Sequence, residues 1–142
     1  MSSLSDKEAE IAKLQQELLK AKNLSYTNSI SVEFNPTLKR SVTSIPIEVF
    51  QAKWYINVYL NSTKTHVSCY AHRSASTSSS YHEITFILKH PSDSSKDFKR
   101  CFEHEYPAED RGRGYPEFAS LLEHDSFKHN GRFLIQMIVK SV

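Results

Sequence analysis

The spacing of apolar residues changes near residue 24 and divides the chain into two segments. In residues 2–22 the apolar positions follow a heptad pattern over about three heptads. The a and d positions hold Leu4, Ile11, Leu14, Leu18 and Ala21, with Lys7 at the remaining d position. This stripe is narrower than that of a globular helix, so it predicts a coiled-coil helix over residues 1–24. A helix that packs on its own domain is the alternative.

From residue 25 onward the apolar positions alternate with polar ones, as they do in half-buried strands. The alternating segments are SISVEF, IPIEVF (Ile45, Ile47, Val49), KWYINVYL, HVSCYA and YHEITFILK. The last segment, RFLIQMIVK, is apolar on nearly both faces, which is typical of a central strand. Polar turns, including the serine-rich residues 73–80, separate the segments. The pattern predicts an all-β antiparallel sandwich over residues 25–142.

Two of these segments should form a hairpin, because only NSTKT separates them. Their inward positions are Trp54, Ile56 and Val58 on one strand and Val67 and Cys69 on the other. Asn57 and Tyr59 on the first strand and Ser68 and Tyr70 on the second then point outward. We therefore expect Tyr59 and Tyr70 to share an exposed face. Exposed tyrosines suit a binding surface, although they are also common on half-buried sheet positions.

The stretch RGRGYPEF, residues 111–118, contains two of the three glycines in the chain. Pro116 can occupy the first position of a helix, and Phe118, Leu121 and Leu122 then fall on one helical face. The stretch therefore predicts a turn followed by a short helix.

The order of four motifs resembles the TRAF-C/MATH (meprin and TRAF homology) family, in its TRAF-type form. The motifs are IPIEVFQAKWYINVYLN, THVSCYA, GRGYPEF and NGRFLIQMIVK, and they lie behind a heptad helix. The resemblance covers residues 25–142 and implies an eight-stranded antiparallel β-sandwich preceded by the coiled coil. Two positions differ from the family: Gln51-Ala52 stands where a glycine is usual, and Arg113 stands where many members have tryptophan.

The resemblance also implies a non-catalytic adaptor that binds short extended peptides of receptors or ubiquitination substrates. The implied peptide-binding residues are Asn57, Tyr59, Tyr70, Arg113, Gly114 and Tyr115, and the parity of the hairpin adds Ser68. A peptide would add as a strand along the 113–115 segment, with Gly114 leaving room for its backbone and Arg113 favouring an acidic residue. A homotrimer is expected from the family, because the heptad seam alone does not decide between two and three strands. The main alternative is a structural oligomerisation module without peptide capture.

Composition narrows the remaining classes. The net charge is only +2, which argues against a nucleic-acid binder built on Arg111 and Arg113. No apolar run approaches the roughly 20 residues of a membrane span. The N-terminus lacks a secretion signal, so we expect a cytoplasmic protein. The two cysteines, Cys69 and Cys101, are expected to be buried free thiols.

No motif of the chain indicates an enzyme or a cofactor. The potential metal ligands Cys101, His104, His124 and His129 do not show the repeated spacing of a structural zinc site. Cys69 and His66 differ in parity and face opposite sides of a strand, so they do not form a nucleophile pair. The acidic residues within 102–110 are expected to be solvated. We therefore expect no catalytic residues, no metal and no cofactor.

Overall fold

The computed structural model describes residues 9–10, 28–38 and 40–142. The predicted coiled-coil seam, Leu4, Ile11, Leu14, Leu18 and Ala21, lies outside the described residues. Within that segment only Ala9 and Glu10 are described, and both are helical and exposed. The rest of the described chain is built of strands and short 3₁₀ turns, which confirms the predicted all-β class.

The described residues form nine strands. They are β1 (Ser29–Phe34), β2 (Val42–Thr43), β3 (Ile47–Val49), β4 (Ala52–Leu60), β5 (His66–Arg73), β6 (Ser80–Leu88), β7 (Phe98–Tyr106), β8 (Arg111–Ser120) and β9 (Phe133–Ser141). Short 3₁₀ turns lie at Pro36–Leu38, Ser94–Lys96 and Asp125–Phe127.

The strands form two antiparallel sheets. Sheet A has the order β1-β9-β6-β7, and sheet B has the order β2-β4-β5-β8, with β3 also paired to β4. Strands β2 and β3 pair with successive parts of β4, since Val42 lies opposite Val58 and Ile47 lies opposite Trp54. The described chain therefore has nine strands where the resemblance implies eight, because two short strands share this edge of β4.

The core lies between the two sheets and is built from alternate residues of their inner faces. All the predicted inward residues of the β4–β5 hairpin are fully buried: Trp54, Ile56, Val58, Val67 and Cys69. Strand β9 lies between β1 and β6, so its predicted central place is confirmed. Its buried residues are Phe133, Ile135, Met137 and Val139.

The predicted helix after Pro116 is wrong, because β8 continues through Pro116 to Ser120. In the pairing with β5, Cys69 lies opposite Tyr115 and Val67 lies opposite Ala119, so Ser68 alone faces three residues of β8. Proline has no N–H group to donate to a regular ladder of backbone hydrogen bonds. It is tolerated here because the bulge interrupts that ladder. Phe118 still enters the core, whereas Leu122 is exposed.

Two further expectations need correction. Cys101 is exposed, because it lies opposite Thr85 on the outer face of sheet A, whereas its neighbours Arg100 and Phe102 have the opposite parity. Ile45 precedes β3 and is 77% exposed, so it does not belong to the alternating strand pattern. Cys69, in contrast, is buried as predicted.

Candidate functional site

The outer face of sheet B carries two stacked pairs of aromatic rings across the β4–β5 hairpin. The rings of Tyr59 and Tyr70 are nearly parallel, with centroids 5.9 Å apart and an interplanar angle of 3°. Those of Tyr55 and His72 are 4.9 Å apart at 2°. All four side chains are half-buried. The predicted sharing of one face by Tyr59 and Tyr70 is therefore confirmed, and the face extends further along the hairpin than predicted.

The alternation of both strands explains this arrangement. Asn57 lies opposite Tyr70, Tyr59 opposite Ser68, and Tyr55 opposite His72, so all six side chains leave the same face of the sheet. Burial raises the pKa of Tyr59, and hydrogen bonding with Tyr70 raises it further. Tyr59 therefore remains a neutral hydroxyl at physiological pH and can both donate and accept hydrogen bonds.

Of the other predicted residues on these strands, Ser68 lies beneath the aromatic face and Asn57 is half-buried within it. Ser68 is fully buried, and its hydroxyl donates to the carbonyl of Pro116 at the bulge. Its predicted exposure is therefore wrong, because the bulge brings β8 over it. The side-chain oxygen of Asn57 is also buried and has no hydrogen-bond partner among the described atoms.

Gly112 and Gly114 allow β8 to lie close against β5. A side chain at Gly114 would overlap the carbonyl oxygen of Cys69, and one at Gly112 would overlap the His72 ring. The sequence suggested that Gly114 leaves room for a peptide backbone, but the space at Gly114 is taken by the chain's own neighbouring strand. The glycines thus maintain a flat surface beside the Tyr70 and His72 rings.

The other two predicted residues of β8, Arg113 and Tyr115, lie on the opposite face of that strand. They pair with the inward positions Ala71 and Cys69. The Tyr115 hydroxyl donates to the carbonyl of Cys101 on β7 at 2.9 Å, so this side chain bridges the two sheets. The structure therefore places Asn57, Tyr59, Ser68, Tyr70 and Gly114 on one side of sheet B and Arg113 and Tyr115 on the other.

The two groups meet at the edge of sheet B. Strand β8 pairs with β5 on one side and with no described strand on the other. An edge strand presents backbone N–H and C=O groups that can pair with an added strand. The arrangement can therefore receive an extended chain beside β8, next to a half-buried aromatic surface.

Tyr55 and His72 are members of the aromatic face that the sequence interpretation did not select. Their spacing in the sequence predicts this placement, because residues separated by an even number of positions in a strand point to the same face. Tyr55 lies four residues before Tyr59, and His72 lies two residues after Tyr70. Burial lowers the pKa of His72, and the Asp110 charge partly opposes this effect. The imidazole is therefore neutral at physiological pH.

The described residues contain no group of three His, Cys, Asp or Glu side chains arranged to hold a metal ion. Among the described residues, no helix has the length and apolar character needed to span a membrane.

Comparison with known proteins adds little to this geometry. No family model and no curated protein sequence matches the chain. Among the solved structures similar to it is the Salmonella enterica trimeric lipoprotein SadB, with 7% sequence identity and a TM-score of 0.48. The match covers 96% of this chain and 74% of that chain. This likeness is too low to support any statement about function.

Proposed function

We propose that residues 25–142 form a TRAF-C/MATH-like, non-catalytic adaptor domain that binds short extended peptides of partner proteins. The single observation that supports it best is the pair of aromatic stacks, Tyr59–Tyr70 and Tyr55–His72, beside the edge strand β8. Aromatic side chains offer a large contact area at a low cost in conformational entropy. The backbone of β8 offers the hydrogen bonds of strand addition.

The proposal includes an oligomer formed through residues 1–24, preferably a trimer, located in the cytoplasm. Several linked copies would increase the avidity for clustered receptors or ubiquitination substrates that bind each copy weakly. The resemblance of the four ordered motifs supports this part of the proposal. The two-sheet antiparallel sandwich of the described strands supports the MATH-like fold of residues 25–142.

The aromatic face can be tested with Tyr59→Ala and Tyr70→Ala. We expect either change to weaken the capture of peptides from an array by about tenfold, because each removes one ring of a stacked pair at the centre of the face. Tyr81→Ala is the matched control, since Tyr81 is 44% exposed on the outer face of the other sheet. Thermal unfolding of all three variants would show that the fold is retained.

Two outcomes would contradict the proposal. Failure of the wild-type chain to capture any peptide would favour the alternative, a structural oligomerisation module. Equal losses for Tyr81→Ala and the two hairpin variants would show that the aromatic face is not the site.

A further inference from the structure

A cleft of about 450 Å³ lies where β8 passes the end of the β4–β5 hairpin. Its lining residues are Asn61, Ser62, Arg100, Tyr115, Pro116 and Glu117. The Pro116 carbonyl accepts a hydrogen bond from the Ser68 hydroxyl, and Ser68 lies opposite Tyr59. The cleft therefore adjoins the aromatic face. It also lies at the end of the part of β8 that pairs regularly. A chain added along β8 would therefore continue into it.

Arg100 reaches this cleft from β7 and is held there by two contacts. One guanidinium nitrogen donates to the carbonyl of Glu117 at 2.8 Å, and the guanidinium carbon lies 3.9 Å from the centre of the Tyr115 ring. A guanidinium has five N–H donors, and stacking on a ring leaves those at its edge available. Arg100 forms no ion pair with any described carboxylate.

Further positive charges lie along the same side of β8. Arg111 and Arg113 share the face of Tyr115, and Arg113 likewise forms no ion pair with a described carboxylate. Arg111 is paired only with exposed Glu109, at 3.8 Å. The pKa of His104 on β7 is lowered by burial and then by the charges of Arg113 and Arg111, as expected for a basic environment. We call Arg100, Arg111 and Arg113 the basic seam.

Negative charges oppose this field, since Glu117 also lines the cleft and is exposed, and the Glu105 charge raises the pKa of His104. The carboxylate of Glu117 lies beyond ion-pair distance of Arg100. Glu117 therefore reduces the attraction of the cleft for an anion but does not neutralise the guanidinium.

We propose that the Arg100 cleft binds the carboxylate of an Asp or Glu side chain in a peptide that lies along β8. The inference rests on the proposed peptide-binding function and adds the chemical class of ligand, an acidic extended peptide. Charge complementarity with the basic seam supports it, as does the position of Arg100 beyond the end of the regular pairing. The site differs from the Arg113 role expected from the sequence, because Arg100 is on the other sheet.

The test uses the full chain and an array of synthetic peptides made in pairs that differ only by Glu or Gln at one position. The best pair is then measured in solution. We expect the wild-type protein to bind the Glu-containing peptide more tightly than its Gln-containing partner. Arg100→Gln should weaken binding of the Glu-containing peptide by roughly two- to fivefold and leave binding of the Gln-containing peptide unchanged. Glu117→Gln should strengthen the Glu member, and the preference should shrink as salt is added.

Lys99→Gln is the matched control, because it removes one positive charge from the adjacent residue on the opposite face of sheet A. It should leave the preference unchanged. Binding of the Gln member reports that Arg100→Gln still folds, and Glu117→Gln tests the cleft without disturbing the Arg100 contacts.

The outcomes separate the two proposals. If peptides bind but the Glu and Gln members are equal, or if Lys99→Gln acts like Arg100→Gln, the acidic subsite is overturned while peptide binding stands. If no peptide binds, the proposed function fails and the subsite fails with it. If a single-stranded RNA oligonucleotide displaces the peptide and loses affinity in Arg100→Gln, the basic seam serves nucleic acid instead.

Discussion

His82 is a histidine in an apolar setting, only 1% exposed. Its ring packs against Trp54 at 4.8 Å and Phe50 at 5.5 Å. One ring nitrogen contacts the Ser80 hydroxyl, and the other has no partner among the described atoms. Burial lowers the pKa of His82, the Arg73 charge acts in the same direction, and the nearby Lys140 backbone opposes both.

This setting predicts a loss of stability in mild acid. The folded-state pKa lies below the ordinary value of 6.5, so the unfolded chain binds more protons as pH falls through 6.5. The free energy of unfolding should be independent of this group above pH 7 and should decrease toward pH 5. The loss is about 1.4 kcal/mol for each unit by which the pKa is lowered. Urea unfolding at a series of pH values measures it.

The His82→Phe variant should show a shallower pH dependence in the same experiment. A residual slope is expected, because burial also lowers the pKa values of His72 and His104. The carboxyl groups of Asp93 and Asp97 have lowered pKa values and act only in stronger acid, below their ordinary value of 3.8. Stability that is constant or rising from pH 7 to pH 5 would contradict the assignment.

At the residue scale, the sequence predicts apolar positions much better than buried polar ones. Period-two alternation was sufficient to predict that Trp54 and Cys69 are buried and that Tyr59 and Tyr70 share a face. It could not predict that Arg73 is 1% exposed, because its guanidinium donates to the carbonyls of Ser78 and Pro107 in separate loops. Such burial depends on partners whose positions are set only by the complete fold.

At the scale of elements, the turn between β3 and β4 adopts a conformation that its residues do not favour. Val49 pairs with Ala52, so the turn consists of Phe50 and Gln51 alone. Both have positive φ angles, 53° and 61°. Two-residue turns of this kind usually contain glycine or asparagine. The family resemblance implies a glycine at this turn, and the positive φ angles of Phe50 and Gln51 are the structural consequence of its absence.

We therefore expect Gln51→Gly to stabilise the protein by about 0.5–1 kcal/mol, because glycine adopts the left-handed conformation without strain. Gln51 is exposed, and its backbone carbonyl, which accepts the hydroxyl of Ser76, is retained. Phe50 is left in place because its ring packs against His82. The urea midpoint measures the change, and Gln51→Ala is the control that should show no gain. A glycine variant less stable than wild type would exclude strain at this turn.

The elements themselves were predictable where one strand carries its own signal. Alternation identified β1, β4, β5 and β6, apolar residues on nearly both faces identified β9, and the five-residue loop identified the β4–β5 hairpin. The helix predicted after Pro116 was wrong because a proline followed by apolar residues at this spacing fits both a short helix and a bulged strand. Only the pairing with Ser68 of a distant strand decides between them.

At the scale of the whole molecule, the proposed oligomer is formed by residues 1–24, and the heptad pattern of the sequence is the basis for this assignment. We expect light scattering of the full chain to give a mass near three times 16.3 kDa. Ile11→Asp should produce monomers, because a charge at an a position is buried without a partner in the helix interface. Gln16→Asp adds the same charge outside the heptad seam and should leave the mass unchanged. A monomeric wild type at high concentration would remove the coiled coil from the proposal.

The bulge at Pro116 has a consequence for aggregation and for ligand length. Continuous pairing along β8 covers residues 111–115, because the register with β5 shifts beyond Tyr115 and the Glu117 carbonyl is occupied by Arg100. So short an edge, lined by arginines, is a poor template for copies of the chain to join into a continuous sheet. The same limit means that a guest strand could match β8 over only about five residues, the length of a short linear motif.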